Sequence, residues 1–180
     1  METATNTKWA IDPTHSEITF KVKHLVISTV TGKFNEFSGS LTQTGENLEN
    51  AQIEFQAKID SISTGVADRD NHLKSDDFFN AAEYPEMKFA GKSFNKTGED
   101  TYQLVGDLTI RDVTKEVALD VTHGGTVVDP YGQTKAGFEI EGKINRKDFN
   151  LSWSALTETG AVVVSEEVKL ALNVQLVAQQ

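Results

Sequence analysis

The chain has no cysteine, which excludes disulfides, thiolate nucleophiles and cysteine-ligated zinc or iron–sulfur centres. It also lacks any apolar run of about 18 residues, the length a membrane-spanning helix needs. Its opening residues, METATNTKWAIDP, show neither the basic flank nor the apolar segment of a secretory signal. This favours a cytoplasmic location, with a mature exported form as the alternative where a signal has been cleaved from a precursor. Cations are in deficit: 17 Lys and Arg stand against 27 Asp and Glu, for a formal charge of −10. Nucleic acid is therefore excluded as a partner, because phosphate neutralisation needs clustered Lys and Arg, and insertion into an anionic membrane is equally disfavoured.

Sequence signatures of covalent chemistry are missing too. No G-x-S-x-G elbow, P-loop or dinucleotide-binding glycine pattern occurs. The four histidines, at 15, 24, 72 and 123, are scattered and form no H-E-x-x-H pair, so no metal centre is expected. Asn95-Lys96-Thr97 fits a glycosylation pattern that a chain of this length meets by chance.

What the chain does have is alternation. Ile18, Phe20, Val22 and His24 share one face of a strand, and Ile53, Phe55, Ala57 and Ile59 share another. The pattern recurs at 102–110, 117–121, 138–144 and 168–176. Period-two alternation means one buried and one wet face, the antiparallel signature. Eight strands are predicted, at about 17–26, 30–43, 51–60, 86–94, 101–111, 115–123, 134–144 and 166–177. The phase slips between Phe34 and Phe37, so a bulge at Asn35-Glu36 is expected to return both halves to the same face. Only the connections 61–85 and 145–165 are long, and the first has room for a short helix over Arg69–Lys74 with Asp68 as its N-cap.

Such strands, joined mostly by short turns, predict a closed up-and-down barrel in a single domain over residues 1–180. Small residues fall at the inward positions Ala57, Gly91, Gly106, Ala136 and Gly142. They either leave room for a ligand or relieve strain where the barrel bends; the sequence leaves both open. Strand parity also sorts the connections. Residues 26–30, 61–85, 111–115 and 145–165 belong to one end, which gathers Asp68, Arg69, His72, Lys74, Arg111, Asp112, Arg146 and Asp148, with His24 just inside.

Several segments resemble the YceI-like family. They are Trp9-x-Ile11-Asp12-x-x-His15-Ser16, Phe20-x-Val22-x-His24-Leu25 and Gly32-x-Phe34-x-x-Phe37-x-Gly39. To these add Arg69-Asp70-x-His72-Leu73, Asp77-Phe78-Phe79, Tyr84-Pro85, Gly106-Asp107-Leu108-Thr109-Ile110 and Ile144-Asn145-Arg146-x-Asp148-Phe149. The resemblance covers nearly the whole chain. It implies a bacterial protein, periplasmic where a signal has been removed, with an extended, lipocalin-like eight-stranded antiparallel barrel, often a homodimer, that carries a polyisoprenoid or other long amphiphile in an apolar channel. Asn150 stands where the family commonly has glycine, and asparagine tolerates the positive φ of such a turn.

On that footing the expected function is non-enzymatic binding or transport of an isoprenoid quinone, polyisoprenoid or fatty-acyl lipid, with no other cofactor. The channel wall is assigned to Phe20, Val22, Phe34, Phe37, Phe55, Ala57, Ile59, Phe78, Phe79, Phe89, Leu104, Leu108, Leu119, Phe138, Ile140, Trp153 and Leu170. The head group is assigned to the rim residues Asp68, Arg69, His72, His24 and Arg146, the arginines being able to fork onto phosphate or carboxylate. The alternative for the arginines is pairing with Asp70 and Asp148 to pin their own loops. Phe78 and Phe79 either face the ligand or plug the barrel end. Two further readings are a lipid-modifying enzyme using His24 or His72 as acid or base, and a dimeric barrel with a filled core and no ligand.

Overall fold

The computed structural model describes residues 6–25, 27–45, 48–151 and 164–179. In chain order its elements are β1 (Asn6–Ile11), β2 (Glu17–His24), β3 (Ser28–Phe34), β4 (Phe37–Thr44), β5 (Gln52–Lys58), β6 (Ile62–Ser63), α1 (Ala67–Lys74), β7 (Glu86–Lys96), β8 (Thr101–Ile110), β9 (Val113–Val128), β10 (Thr134–Asn145) and β11 (Val164–Ala178). Every strand pairing is antiparallel. The eleven segments make eight staves, because β1 continues into β2, β3 into β4 and β5 into β6. The ring closes where β11 pairs with β2 (Leu172↔Ile18) and then with β1 (Ile11↔Leu176), while β1 also pairs with β4 (Trp9↔Leu41).

Each interruption has a local cause. Between β1 and β2, Pro13 has no N–H to give a ladder, and Asp12 caps a short 3₁₀ turn by accepting from the Thr14 N–H at 3.0 Å. The other Asp12 carboxylate oxygen lies 2.8 Å from His15 Nδ1. Hydrogen bonds from Thr14 and then His15 hold the Asp12 carboxyl down to about 2. Ser16 Oγ then accepts from the Gln175 N–H at 2.9 Å and re-ties the stave to β11. Between β3 and β4 the chain breaks at Asn35-Glu36, where the Asn35 N–H donates to Ser61 (3.1 Å) and Glu36 accepts from the Lys58 N–H (2.9 Å). Those two bonds tie the break to the β5–β6 stave, and buried Phe34 and Leu41 return to the same side.

The structure adds and corrects. The stave beginning at Asn6 starts earlier than the sequence indicates, β9 runs on to Val128, and the 51–60 strand ends at Lys58 in a 3₁₀ turn. Helix α1 begins at Ala67 with Val66 as its cap residue, so Asp68 is not the N-cap. Asp70 instead folds back to accept from the N–H and hydroxyl of Thr64, at 2.8 and 2.5 Å. Asn150 has φ 62, in the left-handed region expected of it.

Three inward glycines are not empty space. A Cβ at Gly32 would strike the Phe20 ring, one at Gly142 would strike Leu119, and one at Gly106 would meet Phe89 and the Ala90 carbonyl. Each glycine lets a large side chain from the neighbouring stave lie flat across the backbone. The room therefore goes to Phe20, Phe89 and Leu119 rather than directly to a ligand.

Candidate functional site

The interior holds three adjoining spaces along the barrel axis that share wall residues. The middle one, of about 150 Å³, is walled by side chains that include Ile18, Phe55, Phe89, Leu104, Leu108, Leu119, Phe138, Ile140, Leu172 and Val174. At the end closed by α1 and the segment 75–85 it joins a chamber of about 230 Å³. Phe20, Phe34, Met87, Ile144 and Leu170 line both spaces. At the opposite end a vestibule of about 390 Å³ shares Leu41, Phe138 and Leu176 with the middle. Together these adjoining spaces make a tunnel-like interior beside the packed core.

The lid end collects the charged side chains. Arg111, at φ 56 in the two-residue turn between β8 and β9, donates through Nη1 to the carbonyls of Asp76 and Phe78 at 3.1 Å and of Asn150 at 3.3 Å. Its Nη2 lies 3.1 Å from the Asp76 carboxylate, and its guanidinium sits over the Tyr84 ring. One side chain thereby holds the lid to the turn after β10. Arg146 is 3% exposed and donates to the carbonyls of Ser165 (2.8 Å), Leu151 (2.5 Å) and Val164 (3.2 Å). Burial lowers its pKa from the ordinary arginine value, with nearby Glu166 opposing the shift. Arg69 bonds Thr64 through Nε and Nη2, both at 2.7 Å. Both arginines pin loops, but through carbonyls and Thr64; among the described residues neither forms an ion pair with Asp70 or Asp148.

Of the rim residues named from the sequence, Arg69, His72, His24 and Arg146 all line the lid chamber. Asp68 is exposed and does not. His72 Nε2 lies 2.8 Å from Asp77 Oδ2, and its ring meets Phe78 edge-on at 5.1 Å. Phe78 is buried beneath the Arg146 guanidinium, and Phe79 packs edge-on against Phe34 at 6.1 Å. Both phenylalanines therefore close the barrel end and form part of the chamber wall. Among the described residues no three His, Asp or Glu side chains are placed to hold a metal ion.

Of the channel residues named from the sequence, Phe20, Phe34, Phe55, Phe89, Leu104, Leu108, Leu119, Phe138, Ile140 and Leu170 face the middle space. Val22, Phe78 and Phe79 face the lid chamber. Phe37, Ala57 and Ile59 do not line the tunnel. Phe37 pairs with Ala57 across the β4–β5 ladder and packs on Phe55 at 6.3 Å, while Ile59 is buried in the turn after β5. Trp153 lies outside the described residues.

The vestibule was not foreseen. Gln43 is only 9% exposed, and its side-chain oxygen accepts from the Trp9 indole N–H at 3.0 Å. The sequence did carry a signal: Gln43 continues the inward phase of Gly39 and Leu41, and a polar side chain at an inward barrel position needs a partner.

The family model for the YceI-like domain matches residues 9–176. The protein named YceI in Escherichia coli is 39% identical over 166 residues, covering 92% of this chain and 83% of that one. Among solved structures, the YceI protein of Campylobacter jejuni superposes with a TM-score of 0.73 at 34% identity, covering 88% of this chain and 90% of its own. A polyisoprenoid-binding domain from Saccharophagus degradans shares the fold, with a TM-score of 0.67 at 17% identity over 95% of this chain and 98% of its own.

Proposed function

The chain belongs to the YceI-like family, and on that premise we propose that it is a non-enzymatic carrier that holds one long-chain amphiphile along the barrel axis. A polyisoprenoid, an isoprenoid quinone or a fatty-acyl lipid fits that description. The observation that carries the reading is the shared lining of the lid chamber and the middle space, which sets two apolar-walled spaces side by side along the barrel. A structural neighbour is described as polyisoprenoid-binding, in keeping with this ligand class.

The energetics favour a chain of this kind. Each methylene moved from water to the wall is worth about 0.8 kcal/mol. A tail of about ten carbons thus gains about 8 kcal/mol, enough to exceed the several kcal/mol that association costs. The arginines at the lid end are engaged by loop carbonyls and Thr64, and His72 by Asp77. These contacts build the chamber rather than a reaction centre.

Mass spectrometry of an organic extract of the purified protein tests the proposal. A long-chain lipid is expected at about one per protein, recovered unchanged after prolonged incubation. An extract free of lipid, with no long-chain amphiphile binding below about 100 μM (about −5.5 kcal/mol), contradicts carriage. A chemically altered lipid contradicts the non-enzymatic reading.

A further inference from the structure

We infer that the tip of the β9–β10 hairpin docks the protein on a zwitterionic lipid bilayer surface, with the vestibule end of the barrel towards the membrane. The docking stands on the hairpin itself. Its use, exchange of an amphiphile with the bilayer, rests on the carrier reading above.

Among the described residues five large apolar side chains are exposed, and three of them fall within five positions of this hairpin: Val127 (64%), Val128 (68%) and Tyr131 (90%). The other two, Ile27 and Val66, precede β3 and α1 at the lid end. β9 pairs with β8 only as far as Thr122, and beyond Gly124 its ladder runs with β10 alone. A register shift at Gly137, with Gly125 at φ 133 on the facing strand, bends this ribbon. His123 and Thr126 of β9 and Ala136 and Phe138 of β10 line the vestibule, so the tip rises from the vestibule wall.

The turn at the tip satisfies its own backbone. The Asp129 N–H donates to the Gln133 carbonyl at 2.8 Å, and the Gly132 N–H donates to the Asp129 carbonyl at 3.1 Å. Asp129 Oδ1 accepts from the N–H groups of Tyr131 and Gln133, both at 2.9 Å. Pro130 has no N–H to satisfy. Every backbone donor from Asp129 to Gln133 is thus engaged within the turn, the condition for leaving water without a hydrogen-bond penalty. The same bonds hold Tyr131 outward in a fixed turn, which lowers the ordering cost of docking.

Charge identifies the occupant. From Gly124 to Thr134 the one ionised side chain is Asp129, and its Oδ2 lies 3.3 Å from Lys135 Nζ, with both side chains largely covered. The tip therefore presents no free cation, and the chain carries a formal charge of −10, so attraction to anionic lipid is absent. Two valines and a tyrosine suit the boundary between acyl chains and head groups, where a tyrosine buries its ring and keeps its hydroxyl wet. A second copy of the chain fits less well. Three side chains offer roughly 400 Å², about half of the 800 Å² per partner in a standard protein interface.

Flotation of the purified protein with phosphatidylcholine vesicles tests the docking. The parent is expected to float with the vesicles at about 1 mM lipid. Val128→Asp and Tyr131→Asp should each cut the floated fraction about fivefold or more, while Ile27→Asp at the lid end leaves it unchanged. Tyr131→Trp should gain emission quenched by brominated phosphatidylcholine, and it carries the test if an aspartate variant misfolds. A parent that stays in solution, or floats only when phosphatidylglycerol is added, overturns the inference. So does flotation unaffected by both aspartate variants, or a dimer in sedimentation without vesicles that those variants dissolve. Flotation needs no ligand in the tunnel. A lipid-free extract with flotation intact therefore contradicts carriage alone, and a lipid-loaded protein that never floats contradicts docking alone.

Discussion

Arg111 Nη1 lies 3.1 Å from the carbonyl oxygen of Phe78, so the tight turn between β8 and β9 holds the aromatic cap of the tunnel by a side chain. The same nitrogen reaches the carbonyls of Asp76 and Asn150. Replacing Arg111 by Ala removes the donor to all three. We expect about 2–3 kcal/mol of destabilisation and faster release of a bound chain probe. Urea denaturation and stopped-flow displacement measure the two effects. Unchanged release with full loss of stability would mean that the clasp supports the fold without governing the tunnel end.

Arg146 carries a heavier structural role. Its nitrogens donate to Ser165, Leu151 and Val164 from a site 3% exposed. Arg146→Met keeps much of the volume but leaves buried carbonyls without donors, for an expected loss of about 3 kcal/mol or more. Arg146→Lys should recover only part of this, because an ammonium lacks the planar fork. Thermal denaturation of the two variants distinguishes these outcomes.

Gly32 and Phe20 form a pair in which one residue's lack of a side chain seats the other's ring. In Gly32→Ala the new methyl drives the Phe20 ring out of place, and Phe20 lines both the middle space and the lid chamber. Overpacking of this kind costs about 1–3 kcal/mol. Affinity for a long-chain probe should fall by more than the loss of folded protein explains. Binding measured well below the melting temperature checks this.

Asp12 gives a pH dependence of known sign. Its carboxyl is held at about 2, below its ordinary value of 3.8, by Thr14 first and His15 second. A depressed acid stabilises the folded state above the unfolded-state pKa, and that stability is lost as pH falls from about 4 through 2. Asp12→Asn is therefore expected to be about 1–2 kcal/mol less stable than the parent at pH 6. The difference should shrink towards zero near pH 2. Denaturant midpoints at the two pH values provide the measurement, and a constant difference would contradict the assignment.

Much of the barrel is readable from period-two alternation because each strand has one wet face. The slip between Phe34 and Phe37 located the break at Asn35-Glu36, and strand parity placed Arg69, His72, Arg111 and Arg146 at one end. The stretch Asn6–Ile11 escaped notice because it is short, carries one fully buried side chain, Trp9, and is cut by Pro13. Arginine partners escaped for a different reason. Nearness in sequence suggested Asp70 and Asp148, whereas the closed loops present carbonyls in forked geometry. The filling of Gly32 and Gly142 by Phe20 and Leu119 depends on cross-strand register and twist, which no single strand's pattern contains. Gln43 was visible as an inward polar residue, but its meaning required the Trp9 indole beside it.

The central claim, one amphiphilic chain held along the barrel axis, is tested most directly by native mass spectrometry of the intact protein. Protein purified without detergent, or stripped and then incubated with a long-chain amphiphile, is predicted to show a single mass increment equal to one lipid. Leu104→Trp, which fills the middle space, is predicted to abolish that increment while remaining folded. A bare protein mass under both conditions, or an increment unaffected by Leu104→Trp, would contradict the account.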